Sequence, residues 1–127
     1  MADNDVILSI DEGTSGTRAA LVGRDGLVFS QDYIPLDVSC PRPGTVEQDA
    51  DVLLEKTLLV CRRVVAQAQA SGKHIVAMAI ANQRCSAVLW DTSTGKSLAP
   101  VMVWQDSRHR EELATLSSRW DSTLVQY

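Results

Sequence analysis

The N-terminal third of the chain alternates between short apolar runs and polar breaks. Three segments predict strands: an apolar run at residues 6–10 that is rich in β-branched side chains, a second apolar run at residues 19–22, and residues 27–36. The Arg-Asp-Gly sequence at residues 24–26 is a strong signal for a tight turn between the last two strands. Pro35 has no amide hydrogen to donate, which favours an edge position for the third strand. The pattern therefore predicts an antiparallel meander.

A proline-containing loop and then a long amphipathic segment follow the meander. Two prolines exclude a helix or a central strand over residues 40–44. Residues 51–70 predict a helix, which Asp49 or Asp51 caps and which ends before Gly72. Apolar residues at spacings of three and four predict its buried face: Leu54, Leu58, Cys61, Val65 and Ala68.

The second half of the chain predicts more strands and a second helix. The uninterrupted apolar run at residues 75–81 predicts a central strand covered on both faces. Residues 87–90 and 98–104 predict two further strands, joined by a turn at residues 91–95. A last helix is predicted from Asp106 or its neighbour, with one apolar face made of Leu113, Leu116 and Trp120. This order of elements indicates an α/β fold with a mixed sheet, and two helices leave much of that sheet uncovered.

Composition narrows the classes of protein that fit this pattern. The 127 residues suit one domain, with 45% hydrophobic and 22% charged residues and a net charge of −4. Lys and Arg are dispersed, so we expect no nucleic-acid partner, and the apolar runs are too short for a bilayer span. The three cysteines form no disulfide or zinc pattern, and the acidic N-terminus differs from a secretory leader. A cytoplasmic location is the expectation.

The strongest chemical signal is the segment between the first two strands, residues 11–18 (Asp-Glu-Gly-Thr-Ser-Gly-Thr-Arg). Glycines permit close backbone approach and positive φ, while successive amides and hydroxyls can hold an anion. Asp11 lies where an apolar strand ends and can hold Mg²⁺ beside phosphates. The segment matches neither a P-loop nor a Gly-x-Gly-x-x-Gly fingerprint. Its candidate cofactor-binding residues are Asp11, Gly13, Thr14, Ser15, Gly16, Thr17 and Arg18, with Asp11 also the candidate metal ligand.

Two other polar segments are candidates for the substrate. Residues 82–85 (Asn-Gln-Arg-Cys) follow the buried strand, where open α/β sheets bind ligands. Residues 103–108 (Val-Trp-Gln-Asp-Ser-Arg) offer an indole wall and polar groups for hydroxyls. If residues 82–85 stood alone, a solvated strand end would be the expected interpretation, and a tryptophan such as Trp104 is usually a core residue. The candidate substrate-binding residues are Gln83, Arg84, Cys85, Trp104 and Asp106, with the Cys85 thiol expected to be buried.

Taken in order, these motifs resemble those of the FGGY carbohydrate kinases, and among them most closely the glycerol kinases. The hairpin resembles the family's phosphate loop. Residues 43–49 resemble its Pro-Gly-Trp-Val-Glu-x-Asp segment, with Thr45 in place of the tryptophan. The Asn-Gln-Arg sequence at residues 82–84 resembles the form found in glycerol kinases. Cys85 stands where glycerol kinases have a glutamate that bonds glycerol, which leaves other polyols and sugars as candidate substrates. The resemblance implies a ribonuclease H-like (actin-like ATPase) fold and ATP-dependent phosphorylation of a sugar or polyol hydroxyl, with Mg²⁺.

The resemblance also implies that this chain is the N-terminal part of a longer enzyme. Family members are several times longer, and their catalytic base and adenine pocket lie downstream. We therefore expect residues 1–127 to be part of an N-terminal domain, with no catalytic base and with the rest of that domain and the C-terminal domain absent. Two alternatives stay open: a ribonuclease H-like nuclease, and a non-catalytic nucleotide- or sugar-binding module. A homo-oligomer is compatible with either.

Overall fold

A computed structural model describes residues 2–124 of the chain, with side chains described through residue 119. The main sheet has four strands: β1 (Asp5–Glu12), β2 (Gly16–Gly23), β3 (Val28–Pro35) and β5 (His74–Asn82). Their order is β3-β2-β1-β5; β1 and β2, and likewise β2 and β3, are antiparallel, whereas β5 runs parallel to β1. The predicted meander and the mixed sheet are therefore confirmed, with β3 at one edge.

The turn between β2 and β3 forms as predicted. Gly26 has a φ of 81° and its amide donates to the Gly23 carbonyl at 3.0 Å. The left-handed conformation favours glycine at this position. Asp25 Oδ1 accepts from the Leu27 amide at 3.0 Å, which closes the turn.

Helix α1 (Ala50–Ala70) begins and ends as predicted, but its buried face differs. Asp49 caps the helix by accepting from two amides of the first turn, and Gly72 follows the last turn with a φ of 64°. The core stripe consists of Val60, Val64 and Ala68, which pack on Val6, Leu8, Ile10, Ala19 and Leu21. Cys61 and Val65 pack beside that stripe.

The prediction that Leu54 and Leu58 belong to the buried face is wrong. Their side chains are 53% and 43% exposed. The first turns of α1 lie away from the four-stranded sheet, and Leu54 lines a shallow cleft beside Val88 and Trp90. The periodicity of apolar residues in α1 therefore predicted a buried face that is wider than the part of the helix that the sheet covers.

The prediction of a covered central strand at residues 75–81 is also wrong for this chain. Strand β5 forms there, yet it is an edge strand and every one of its residues is exposed. Helix α1 packs mainly across β2 and β3, so Met78 and Ile80 each stay 61% exposed. The apolar run thus identified the strand, but not its position at the edge of the sheet.

The C-terminal third contains less regular structure than the pattern predicted. A second, two-stranded sheet joins β4 (Glu47–Gln48) to β6 (Val101–Met102) in antiparallel fashion. The strand predicted at residues 87–90 reduces to single bridges from Ala87 and Trp90, and the strand predicted at 98–104 reduces to β6. Pro100 immediately precedes β6 and has no amide to donate, which limits the pairing on that side.

Helix α2 (Arg110–Leu124) starts later than the predicted position. The Ser107 amide donates to the Gly44 carbonyl at 2.8 Å, so the chain before the helix is tied to a distant loop. Leu113 and Leu116 are 62% and 48% exposed, and the side chain of Trp120 lies outside the described residues. Within residues 2–124, neither helix has the combination of length and apolarity that a bilayer span requires.

Candidate functional site

The ligand edge of the sheet is the place where β1 and β5 both end. These strands are parallel, with Asp11 beside Ala81 and Glu12 beside Asn82. Their carboxyl ends therefore lie together, which is the position where α/β sheets bind ligands. The Gln83 amide extends the pairing by donating to the Glu12 carbonyl at 2.8 Å. Topology thus places the hairpin and residues 82–85 side by side.

The hairpin is tighter than its sequence suggested, because most of residues 11–18 belong to β1 and β2. The Gly13 amide donates to the Gly16 carbonyl at 3.1 Å, which leaves Thr14 and Ser15 at the tip. Neither glycine has positive φ, so that part of the prediction is wrong. Gly16 is required for space instead: a Cβ there would lie 2.2 Å from Tyr33 Oη.

Thr14 forms hydrogen bonds with side chains from three other segments of the chain. Its hydroxyl donates to Gln83 Oε1 at 2.6 Å and accepts from Trp104 Nε1 at 3.1 Å. Its carbonyl accepts from Gln48 Nε2 at 2.8 Å, and Gln48 Oε1 accepts from Gln83 Nε2 at 2.9 Å. Three segments far apart in sequence therefore converge on one threonine.

The charged residues of the hairpin lie on its exposed face. Asp11 and Arg18 are cross-strand neighbours in β1 and β2, and both side chains are exposed. The Arg18 guanidinium lies 5.6 Å from the centre of the Tyr33 ring, a cation–π distance. Asp11 lines the cleft. Proteins bind Mg²⁺ through one or two carboxylates together with water and phosphate oxygens, so Asp11 supplies one group of the required kind.

Glu12 and Thr17 point the other way, toward α1. The Thr57 hydroxyl donates to Glu12 Oε2 at 2.5 Å, and Thr17 is fully buried. Glu12 Oε1 and Thr17 Oγ1 are enclosed without a hydrogen-bond partner among the described residues. Burial, reinforced by the Glu12 carboxylate, raises the pKa of the Cys61 thiol, so this cysteine stays protonated. Of the predicted cofactor-binding residues, Thr17 is thus placed under the hairpin and away from the cleft.

An open cleft of about 740 Å³ lies between the hairpin and residues 82–85. Arg84, Cys85 and Trp104 line it together with Asp11 and Thr14. Trp104 is 56% exposed, so its ring is available as an apolar wall. Cys85 is exposed and has a φ of 58°, which corrects the expectation that it is buried. A second cleft of about the same volume lies at the opposite end of the sheet, away from every candidate motif.

Asp106 is separated from the cleft by its own hydrogen bonds. Its side chain is 2% exposed, and its oxygens accept from Arg108 Nε and Nη2, from the Arg108 amide and from the Val46 amide. These bonds hold the pKa of Asp106 well below its usual range and raise that of Arg108. Arg108 also contacts Glu47 at 2.6 Å. The predicted substrate ligand is instead engaged in holding the loop before β4.

Sequence reasoning missed Gln48 and Glu47. Gln48 is 4% exposed and contacts the hairpin, and Glu47 pairs with Arg108. The available signal was the resemblance of residues 43–49 to a family segment, which gave neither side chain a role. A two-residue strand is too short for periodicity to identify it.

Known proteins similar to this chain belong to one family. Residues 6–126 match the model of the N-terminal domain of the FGGY family of carbohydrate kinases. The chain belongs to this family. It is 36% identical over 120 residues to a glycerol kinase of Xanthobacter autotrophicus, covering 94% of this chain and 24% of that protein. A glycerol kinase of Trichormus variabilis is 39% identical over 102 residues, which cover 80% of this chain and 20% of that protein.

Solved structures of FGGY kinases share the fold. The structure of Plasmodium falciparum glycerol kinase with ADP has a TM-score of 0.85 at 26% identity, over 90% of this chain and 23% of that one. The xylulose kinase of Rhodospirillum rubrum has a TM-score of 0.82 at 25% identity over the same shares. The predicted ribonuclease H-like, actin-like ATPase fold is therefore confirmed. The chain spans about a quarter of the length of the relatives it matches.

Proposed function

We propose that the intact protein containing this chain transfers the γ-phosphoryl group of ATP to a hydroxyl of a polyol or sugar. One observation carries the proposal: the hairpin tip and the Asn-Gln-Arg segment share one cleft, joined by the 2.6 Å bond between Thr14 and Gln83. Phosphoryl transfer requires phosphate and acceptor hydroxyl to be held side by side. The relatives named above are glycerol and xylulose kinases, and one was solved with ADP.

The exposed residues of the hairpin suit the nucleotide side of this reaction. The backbone amides of the tip, the Ser15 hydroxyl and Arg18 would face phosphate oxygens. Asp11 would hold Mg²⁺, which offsets phosphate charge and orients the transferred group. Gly13 and Gly16 would keep the backbone close to the ligand and to Tyr33.

The other wall of the cleft suits the acceptor. Arg84 would donate to acceptor hydroxyls, and the Trp104 ring would cover the carbon face of the molecule. Cys85, in its left-handed conformation, would set which hydroxyl pattern fits. Asp106 would act on this wall indirectly, by fixing the segment that carries Trp104.

The proton acceptor and the adenine pocket belong, in this proposal, to a part of the protein beyond these 127 residues. Residues 1–127 would be the first portion of the N-terminal domain, with the remainder of that domain and a C-terminal domain closing the cleft. The short span relative to known family members supports this division.

The nuclease alternative lacks its metal site in the described part of the chain. A two-metal nuclease needs several clustered acids, and residues 2–119 contain no group of three His, Cys, Asp or Glu side chains arranged to hold a metal. Asp11 would thus have to act without two further metal-binding side chains from this region. The non-catalytic binding module remains the rival that experiment decides.

The intact protein is expected to release ADP only when a polyol or sugar is present. A coupled ADP assay over a panel of polyols, pentoses and hexoses measures this directly, with each acceptor omitted in turn as the control. Product masses increased by one phosphoryl group would identify the acceptor. Tight nucleotide binding without acceptor-stimulated turnover would establish the binding module instead.

Substitution Cys85→Glu is expected to shift acceptor preference toward glycerol. A carboxylate accepts hydroxyl protons, and hydrogen bonds to charged groups contribute about 1.5–3 kcal/mol, roughly tenfold or more in kcat/KM. The ratio of kcat/KM for glycerol to that for the best native acceptor is the measurement. Cys40→Glu, at an exposed cysteine outside the cleft lining, is the matched control. An unchanged ratio would show that residue 85 does not face the acceptor.

A further inference from the structure

We propose that Gln48 is a positioning residue that couples nucleotide binding to acceptor binding. The proposal deepens the function above and rests on it. Gln48 lies in β4, outside the phosphate hairpin and the acceptor wall, but it bonds to both. We expect substitution of Gln48 to reduce how strongly one bound ligand raises the affinity for the other. The affinity for either ligand alone should change much less.

The basis is a closed ring of hydrogen bonds among three residues. Gln48 Nε2 donates to the Thr14 carbonyl at 2.8 Å, Gln83 Nε2 donates to Gln48 Oε1 at 2.9 Å, and the Thr14 hydroxyl donates to Gln83 Oε1 at 2.6 Å. Each donor faces one acceptor, so both amide groups have a single orientation that satisfies the ring. Turning the Gln48 amide over would oppose two oxygens at Thr14 and two donors at Gln83.

Gln48 is well held for such a role. Its side chain belongs to a residue only 4% exposed, and its backbone pairs with Val101 in β6. The preceding residue, Glu47, is fixed by the 2.6 Å contact with Arg108, which in turn is bound by Asp106. A buried amide without its partners would leave unsatisfied polar groups, so the ring is strongly favoured once it forms.

In the ring, the Thr14 hydroxyl donates its only proton to Gln83, so it cannot donate that proton to a phosphate. The tip of the hairpin therefore reaches a nucleotide through its backbone and Ser15, whereas its threonine side chain reaches the acceptor wall. Trp104 joins the same hydroxyl through its indole N–H at 3.1 Å, and Arg84 directly follows Gln83. A phosphate that orders the tip would thereby order both acceptor-binding side chains before the acceptor arrives.

Coupling of this kind is reciprocal. If nucleotide raises the affinity for the acceptor by some factor, the acceptor must raise the affinity for nucleotide by the same factor. Gln48 takes part in two of the three bonds of the ring, so its removal leaves only the Thr14–Gln83 bond of that ring. We expect each ligand still to bind, with the dependence of one on the other largely lost.

The test compares wild type with Gln48→Leu and Gln48→Glu in the intact protein. Isothermal titration gives the acceptor Kd with and without a non-hydrolysable ATP analogue plus Mg²⁺, and the ratio of the two values is the coupling factor. Couplings of about 5- to 150-fold are typical. We expect both variants to lower the factor about fivefold or more, toward unity, with binary Kd values changed by less than about threefold.

Gln48→Glu preserves size and keeps the experiment interpretable where the leucine variant folds poorly. Gln69→Leu, at an exposed position of α1, is the control and should keep the wild-type factor.

The outcomes separate this inference from the function on which it rests. Absence of acceptor-dependent ATP consumption in wild type would overturn the proposed function and the inference with it. An active wild type whose coupling factor is unity, or whose factor survives in both variants, would overturn the inference alone. Equal loss of both binary affinities with the factor retained would show a merely structural role and would also overturn it.

Discussion

Asp11→Ala in the intact protein is expected to lower kcat by at least about 100-fold while the fold persists, since one electrostatic contributor to a transition state is commonly worth that much. The side chain is exposed at the end of β1, makes no contribution to the core cluster and lines the cleft beside the hairpin tip. The proposal therefore assigns its charge to a ligand and not to packing. A rise in the Mg²⁺ concentration needed for half-maximal rate in the milder variant Asp11→Asn would identify the metal as the affected partner.

A matched control separates this effect from a general loss of negative charge. Asp37→Asn removes a carboxylate whose side chain is fully exposed and whose ion pair with Lys56 spans 3.7 Å. Such surface pairs contribute little, so activity and melting temperature should stay near wild type. Circular dichroism spectra should be the same for wild type and for the Asp11→Ala, Asp11→Asn and Asp37→Asn variants. An Asp11→Ala protein that turns over at the wild-type rate would remove Asp11 from the site.

The 127-residue chain on its own is expected to have no phosphotransferase activity and to self-associate through β5. This strand is apolar and has one unpaired edge, with Met78 and Ile80 each 61% exposed. Exposed edges and apolar faces pair readily with other chains. Sedimentation velocity across a concentration series, together with thermal melting, measures the association and the stability. A monomer with a sharp melting transition and measurable turnover would contradict the expectation.

Substitution Met78→Lys should weaken self-association of the isolated chain but destabilise the intact protein. In the isolated chain it should raise the concentration needed for association by roughly tenfold, because burying one such side chain is worth about 1.5–3 kcal/mol. In the intact protein the same lysine should lower the melting temperature, since β5 would be covered there. Ala66→Lys, at an exposed position of α1, is the control and should alter neither quantity strongly. A melting temperature of the intact protein that Met78→Lys leaves unchanged would show that β5 has no cover there.

Local signals determined the parts of the fold that could be predicted from sequence. The turn at Gly26, the cap at Asp49 and the apolar runs of β1 and β2 depend on residues close together in the chain, and each formed where expected. The apolar run of β5 also predicted a strand correctly, but its position in the sheet depends on distant partners. Leu54 was assigned to the core for the same reason: its periodicity is visible, whereas the extent of the opposing sheet is not.

The candidate site shows the same division. The motifs predicted that the hairpin and Arg84 would serve one ligand site, and the parallel pairing of β1 with β5 brings them to one edge. The role of Gln48 was not predictable, because its two partners are 34 and 35 positions away in opposite directions along the chain. The hydrogen bonds between Asp106 and Arg108 were not predictable either, because their spacing permits this contact but does not require it.

The parallel pairing of β1 with β5 has a consequence for how the protein acquires its site. The meander and the caps of α1 involve contacts close in sequence, whereas the bond between Thr14 and Gln83 joins residues 69 positions apart. Contacts of high sequence separation form late, because the closure entropy of the intervening chain must be overcome first. During synthesis the hairpin between β1 and β2 can fold as soon as β3 has emerged, long before residues 82–85 exist. The last step of assembly would then be the one that joins the two halves of the cleft.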